Sequence, residues 1–513
     1  MKKIFRFLLS PTALMLVLML AQFAIFSSLI ISLGLDYIAV FFAMIVVSLI
    51  LGIILFDKAP SSPSYKLMWL WIFTLLPLVG EFLYFIWGRP GLFKKKESRF
   101  LAAEQRAAAA QTHDEAPVRQ LEALDRGLAC QAKYLVREHN PLYDGTTARY
   151  FGNGEDLYPV LLEELEKAQH SIWLEYFIYN ADHKSWQTIL EILKRKAADG
   201  VDVRILYDSV GCLFSLPPYY ALTLQRYGIR CYEFNPVRFS LHISDYGFLN
   251  HRDHRKLCII DGMTGFTGGI NMADEYFGMA QPYGQWKDSS LMLRGPAVYS
   301  FTCTFLKMWG MLSGDTVDYT LYRPQLRLPT PDDLLVQPFD DTPLDTETVS
   351  QNAYSNVLRH AHRYVWITTP YLVPDYQMIE SLCLTAKSGV EVRIITPGIP
   401  DKKSVFLVTR SYYRQLLENG IHIYEYAPGF IHSKMYLCDD KIAIVGSANM
   451  DYRSLYLHFE NCCSFYGGRI IGDIHRDFEK TLEVCREITE QDLHFSLWVR
   501  IKQVVLRFFA PLL

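Results

Sequence analysis

The feature that most restricts how this 513-residue chain can fold is a stretch that occurs twice. HRKLCIIDGMTGFTGGIN spans residues 254–271, and HSKMYLCDDKIAIVGSAN spans 432–449. His254, Lys256, Asp261, Gly268 and Asn271 stand at the same five offsets as His432, Lys434, Asp439, Gly446 and Asn449. Each copy runs apolar, turn, apolar, which spells strand–turn–strand with His and Lys on one face of the first strand. The flanking text repeats as well. Residues 168–179 answer to 361–372 as strands, and 192–211 answer to 381–400 as helix, glycine (Gly200, Gly389) and strand. Residues 224–234 answer to 416–426 in the same way. Alternation of helix and strand in both halves predicts two tandem α/β/α units. Because each half holds half of the polar set, the two are expected to pack about a pseudo-two-fold axis, with the site at their seam.

Two His, two Lys and two Asn converging on one point suit a phosphodiester. Its anionic oxygens repel nucleophiles, so a site must first neutralise them. Lys256 and Lys434 supply cations, and Asn271 and Asn449 supply amide donors. One neutral imidazole can attack phosphorus while the other protonates the departing oxygen. No His/Asp/Glu cluster at ligand spacing suggests a metal, and two lysines would repel one. There is no Walker-type loop, so no nucleotide or other cofactor is expected.

This paired motif resembles the HKD motif of the phospholipase D superfamily. TGGINMADEYFG, WKDSSLMLRGPAV and TTPYLVPD narrow the resemblance to bacterial cardiolipin synthases, over most of residues 66–513. The resemblance implies a phosphatidyltransferase that joins two phosphatidylglycerols into cardiolipin, releasing glycerol through a phosphohistidine. It also implies His254 as nucleophile and His432 as acid/base, a choice the near-symmetric motifs leave open. Asp261 and Asp439 belong to the same motif set, although their place at the turn reads as an anchor for the hairpin. Each His needs an orienting carboxylate. Glu460, 28 residues after His432, fits the family position, and Asp288, 34 residues after His254, is its counterpart. The second motif carries Gly446-Ser447, with Ser447 a further phosphate donor. The first carries Gly268-Gly269 and lacks that hydroxyl. The alternative reading is a membrane-bound phosphodiesterase that uses water, acting on lipid or nucleic acid.

The chain is 50% hydrophobic, and a net charge of −3 offers no general attraction to nucleic acid, which is not expected as a partner. All ten Cys lie beyond residue 129 without a Cys-x-x-Cys pair, as for buried thiols in a reduced compartment. Residues 1–60 read as a transmembrane hairpin built from apolar runs at 12–33 and 37–56. Residues 61–99 hold a third membrane segment, whose run at 67–87 is interrupted by Pro77, Gly80 and Glu81. Positive clusters at both ends of this region leave its topology open. Together with these spans, the resemblance implies a multi-pass enzyme of the bacterial inner membrane, with bilayer, phosphatidylglycerol and cardiolipin as partners and the catalytic part facing the cytoplasm. Beyond it come a helical connector (100–148), the first catalytic unit (149–311), a Pro/Asp/Thr-rich connection (312–350) and the second unit (351–493). A C-terminal amphipathic helix (494–513) has an apolar stripe of Leu497, Trp498, Ile501, Val504, Val505 and Phe508, able to pack on the enzyme or on a membrane. Oligomeric state stays open.

Overall fold

The computed structural model describes residues 37–58, 63–77, 79–84, 94–111, 114–236, 250–324 and 332–512, with a few single positions elsewhere before residue 94. The described residues form two units. One lies before Lys95; the other comprises Lys95–Arg238 and His251–Leu513.

The first unit holds α1 (Tyr37–Lys58), α2 (Pro63–Leu75) and α3 (Val79–Leu83). Pro77 has no amide hydrogen to donate, and the helix breaks there, so the described part of the expected third membrane segment holds two short helices. The Ser48 hydroxyl donates to the Phe73 carbonyl at 3.4 Å and to the buried Glu81 carboxylate, giving that acid a partner. No helix among the described residues is long and apolar enough to cross a membrane. The expected first span, 12–33, lies almost entirely outside the described residues.

The second unit opens with three helices, α4 (Lys94–Ala110), α5 (Glu115–Leu124) and α6 (Arg126–Arg137). The first repeat then supplies β1 (Thr147–Phe151), α7 (Gly154–Lys167), β2 (Ser171–Tyr176), α8 (Lys184–Ala198), β3 (Asp202–Asp208), α9 (Tyr220–Gln225) and β4 (Arg230–Phe234). It continues through β5 (Arg252–Asp253), β6 (Lys256–Ile260), β7 (Thr264–Gly268), β8 (Gln285–Lys287), β9 (Ser290–Arg294) and α10 (Val298–Ser313). The second repeat begins with β10 (Leu335–Asp341), inside the stretch expected to connect the halves. Then come α11 (Val349–His360), β11 (Tyr364–Thr368), α12 (Tyr376–Lys387), β12 (Glu391–Pro397), α13 (Lys403–Leu417), β13 (His422–Tyr426) and β14 (Gly429–Ile431). It closes with β15 (Met435–Cys438), β16 (Ile442–Gly446), α14 (Tyr452–Tyr456), β17 (His458–Tyr466), α15 (Arg469–Glu483), β18 (Cys485–Ile488) and α16 (Leu497–Phe508).

Strand order shows the repetition. One sheet runs β1-β9-β7-β6-β2-β3-β4, the other β10-β17-β16-β15-β11-β12-β13-β18. Equivalent strands take equivalent places, with β10 matching β1 at the edge. Each sheet is covered by helices over its own apolar core, one around Ile172, Leu174 and Trp186, the other around Val365, Ile367 and Tyr413. The sheets meet where β16 and β17 lie against β7 and β9. All ten cysteines are free thiols, and only Cys130 and Cys485 escape full burial.

Two short exchanges knit the repeats. β5, from the first, pairs in parallel with the start of β17, Arg252 opposite His458 and Asp253 opposite Phe459. β8, also from the first, pairs in parallel with β14, Trp286 opposite Phe430 and Lys287 opposite Ile431. Exchanging the repeats turns one pairing into the other, which is the pseudo-two-fold relation expected from the sequence.

Candidate active site

Each exchange carries the chain straight into a reactive residue. β5 leads to His254 and β17 passes through Glu460; β14 leads to His432 and β8 leads to Asp288. The His254 amide donates to the Phe459 carbonyl at 3.0 Å, and the His432 amide donates to the Lys287 carbonyl at 2.6 Å. Each histidine is therefore locked by backbone to the strand that brings in the other repeat's acid. His254 Nδ1 lies 2.9 Å from Glu460 Oε1, and His432 Nδ1 lies 2.6 Å from Asp288 Oδ2. The carboxylates are crossed: each acid orients the imidazole of the opposite repeat. With Nδ1 engaged, Nε2 is the nitrogen left for chemistry on both rings.

Lys256 and Lys434 lie on the same strand face as their histidines, and each ammonium donates to the carbonyl of its own motif histidine. Lys434 Nζ also lies 2.9 Å from His432 Nδ1. Burial pushes both lysines down, Lys256 to about 7 and Lys434 to about 8, against the attraction of Glu460 and Asp288. Burial, then the nearby lysines, lowers the imidazoles too: His432 to about 4, and His254 well below its ordinary value. Burial raises Asp288, but the Lys434 charge and hydrogen bonds from the His432 ring and the Ser289 amide outweigh it and hold this carboxyl below the usual range. A cationic, dehydrated pocket with two neutral imidazoles is built to receive an anion.

The remaining expected residues divide. Asp261 and Asp439 stand apart from this cluster. Each takes a left-handed turn (φ 51° and 54°) and accepts three backbone N–H groups. Those of Gln169, His170 and Ser171 go to Asp261, and those of His362, Arg363 and Tyr364 go to Asp439. They tie each hairpin to the head of the neighbouring β2 or β11. Asn271 spends its carbonyl on the Ile178 amide and donates to the Tyr276 hydroxyl at 2.8 Å. Asn449 is buried, and its Oδ1 has no hydrogen-bond partner among the described residues.

Ser447, expected as a phosphate donor, points its hydroxyl at an acid. Its hydroxyl is fully buried and donates to the Glu460 carboxylate, so it positions the acid. This also explains the departure at Gly269. A Cβ there would sit 2.1 Å from Asp288 Oδ1, so the first repeat seats its acid where the second seats a serine.

His458 is the residue that sequence reasoning passed over. It is buried beside His254, ring centroids 5.5 Å apart, with Nδ1 3.6 Å from Glu460 Oε1. Arg453 Nε donates to its Nε2 at 3.2 Å. Its only signal was a histidine two residues before a recognised acid. Donor atoms of His254, His458 and Glu460 all lie within 4.8 Å of one another, a set able to ligate a metal. Lys256 and Arg453 crowd it with positive charge, and Glu460 is already engaged, so a dication fits poorly. Below the motif strand lies a buried triad: Arg255 reaches Glu175 at 2.8 Å and Asp253 at 3.0 Å, bracing the backbone on either side of His254.

Two α/β repeats sharing one seam of paired histidines, lysines and crossed acids define a phospholipase D-like phosphodiester-transfer enzyme. The family described as cardiolipin synthase, PLD-like domain, matches residues 161–309 and 354–482, and a phospholipase D-nuclease N-terminal family matches 40–89. A cardiolipin synthase of Geobacillus sp. strain WCH70 is 35% identical over 464 residues, covering 88% of this chain and 89% of its own. An uncharacterized protein of Streptococcus mutans is 41% identical over 384 residues, covering 74% of this chain and 82% of its own. The crystal structure of phosphatidylserine synthase from Haemophilus influenzae superposes with a TM-score of 0.56 at 13% identity, over 71% of this chain and 95% of that one, a likeness of fold. The chain belongs to the cardiolipin synthase family.

Proposed function

We propose that this enzyme moves a phosphatidyl group between phosphatidylglycerol molecules at a membrane surface, forming cardiolipin and glycerol through a phosphohistidine. The observation that carries this reading is the pair of imidazoles, each held at Nδ1 by an acid from the other repeat and flanked by Lys256 and Lys434. Both histidines start neutral, as attack requires. The substrate phosphate is an anion, and its arrival favours the protonated form of the second imidazole, which then has a proton for the leaving glycerol. His254 Nε2 forms the bond to phosphorus as the P–O bond to glycerol breaks. The neutral His432 next accepts the proton of the incoming hydroxyl, which displaces His254. One phosphodiester replaces another, so no external energy source is needed. Asn449, with its unpartnered amide oxygen, can turn its NH₂ toward a phosphate oxygen.

The test is incubation of the reconstituted enzyme with labelled phosphatidylglycerol, with and without EDTA. Cardiolipin with an equimolar amount of glycerol supports the reading. Phosphatidic acid as the main product would assign water as the acceptor. Loss of activity in EDTA, restored by a divalent ion, would contradict the metal-free mechanism.

A further inference from the structure

The C-terminal helix α16 turns its apolar stripe outward. It packs on α13, with Gln503 buried and Val499 and Leu506 half-buried, and Leu506 touches the second repeat's core. On the opposite face Leu497, Trp498 and Val504 are 70, 75 and 70% exposed, with Ile501 and Val505 also exposed between them. Ordinary surface helices bury such a stripe and expose the polar side.

Beside the stripe lies a cavity of about 440 Å³, lined by Arg410, Arg414, Arg500 and Arg507 together with His494 and Gln503. No carboxylate is among its lining residues. Arg410 has a partner in Glu425 at 3.3 Å, whereas Arg414, Arg500 and Arg507 have no carboxylate partner among the described residues. Arg507 stacks 4.1 Å over the Tyr412 ring, which holds its guanidinium in place. Gln503 is 94% buried by its 6% exposure, and its Nε2 has no hydrogen-bond partner among the described residues. A buried donor left without an acceptor, in a cavity lined by four arginines, suits an anionic oxygen, although Arg414 also donates to the Leu493 carbonyl at 3.4 Å and Arg507 to Gln415 Oε1 at 3.5 Å. On the helix, Arg500 and Arg507 flank one side of the apolar stripe and Lys502 the other.

We infer that α16 docks on a bilayer, with its apolar face among the acyl chains and the phosphate of an anionic phospholipid seated in the arginine-lined cavity. The occupant is a lipid and not a free anion because the cavity adjoins exposed Trp, Leu and Val side chains, which have no use for a soluble phosphate. The inference is independent of the transfer chemistry and shares with it only the membrane setting. It gives the catalytic unit an anchor of its own on the surface where its substrate lies.

The test uses the full chain carrying His254→Ala, so that lipid is not consumed, in nanodiscs of phosphatidylcholine alone or with 30% phosphatidylglycerol. An environment-sensitive fluorophore is attached at Val504→Cys in a Cys130→Ser/Cys485→Ser background, and nitroxide-bearing lipid serves as quencher. A blue shift and lipid quenching that strengthen with phosphatidylglycerol are expected. Arg500→Gln/Arg507→Gln should weaken the anion-dependent part by about fivefold per cation removed. A label that stays aqueous in both discs overturns the proposal. So does quenching independent of lipid charge, which would leave the cavity without a role. A blue shift without lipid quenching would assign the face to another copy of the protein, and the same shift with inorganic phosphate in detergent would assign the cavity to a free anion. Because the readout needs no turnover, failure here leaves the transfer reaction untouched, and failure of that reaction leaves this result readable.

Discussion

A hydroxyl at 447 and its absence at 269 are complementary. Ser447 donates to Glu460, while Gly269 leaves the space that the Asp288 carboxylate fills. Ser447→Ala should therefore lower transfer about 10- to 100-fold, the worth of one hydrogen bond to a buried charge, with little change in substrate KM. Gly269→Ala should displace Asp288 and cost about 1–3 kcal/mol of stability as well as activity, read from denaturation midpoints beside turnover. The lysines carry a pH signature. Lys256 and Lys434, at about 7 and about 8 in the free enzyme, lose the charge that receives phosphate as pH rises. kcat/KM should accordingly fall on a basic limb beginning between pH 7 and 8, and Lys256→Arg should shift that limb upward. The same groups set a stability slope. Folded pKa values below that of an exposed lysine mean that the unfolded chain binds more protons from about pH 7 to 10. Each lysine thus makes stability rise with pH there, by at most ~1.4 kcal/mol per unit. Lys256→Met should flatten the rise in urea midpoints measured from pH 7 to 9.

At the scale of elements, two short strand exchanges decide which acid serves which base. β5 beside β17 delivers Glu460 to His254, and β8 beside β14 delivers Asp288 to His432. The roles proposed for the histidines then predict distinct defects for the acids. With a p-nitrophenyl phosphodiester, whose leaving group needs no proton, Glu460→Gln should slow formation of the adduct. Asp288→Asn should let it form and then persist, since the base that activates the acceptor is impaired by about 10²-fold or more. Quenched samples analysed by mass spectrometry for phosphohistidine at 254 distinguish the two. The reverse pattern would exchange the assignments of nucleophile and base. The spacing of each acid along its own repeat was legible in the sequence; the crossing was not. Pairing between residues 144 apart in one exchange and 206 apart in the other leaves no local periodicity to read.

Across the whole molecule, one chain supplies both halves of one site, so the site is complete within a single copy. Mixing His254→Ala and His432→Ala enzymes before reconstitution should restore no transfer, since each copy keeps one histidine in its own seam. Recovery toward a quarter or half of wild-type turnover would instead mean that repeats exchange between copies. The two sheets, their strand order and the pseudo-two-fold relation all follow from the duplication, and a segment expected as a connection still yielded β10 as an edge strand paired with β17.

The sequence by itself determined the duplicated α/β architecture, the two His-Lys pairs and the anchoring turns at Asp261 and Asp439. Each of these rests on local pattern: period-two strands, glycine-terminated helices and fixed offsets within one hairpin. Only the tertiary structure decided that the acids cross, that Ser447 serves Glu460, that His458 joins His254, and that α16 turns its apolar face outward. Those outcomes depend on which strand ends meet at the seam and which helix face meets the core. Such contacts are chosen by packing between distant segments, so residues that look alike in one dimension acquire different partners in three.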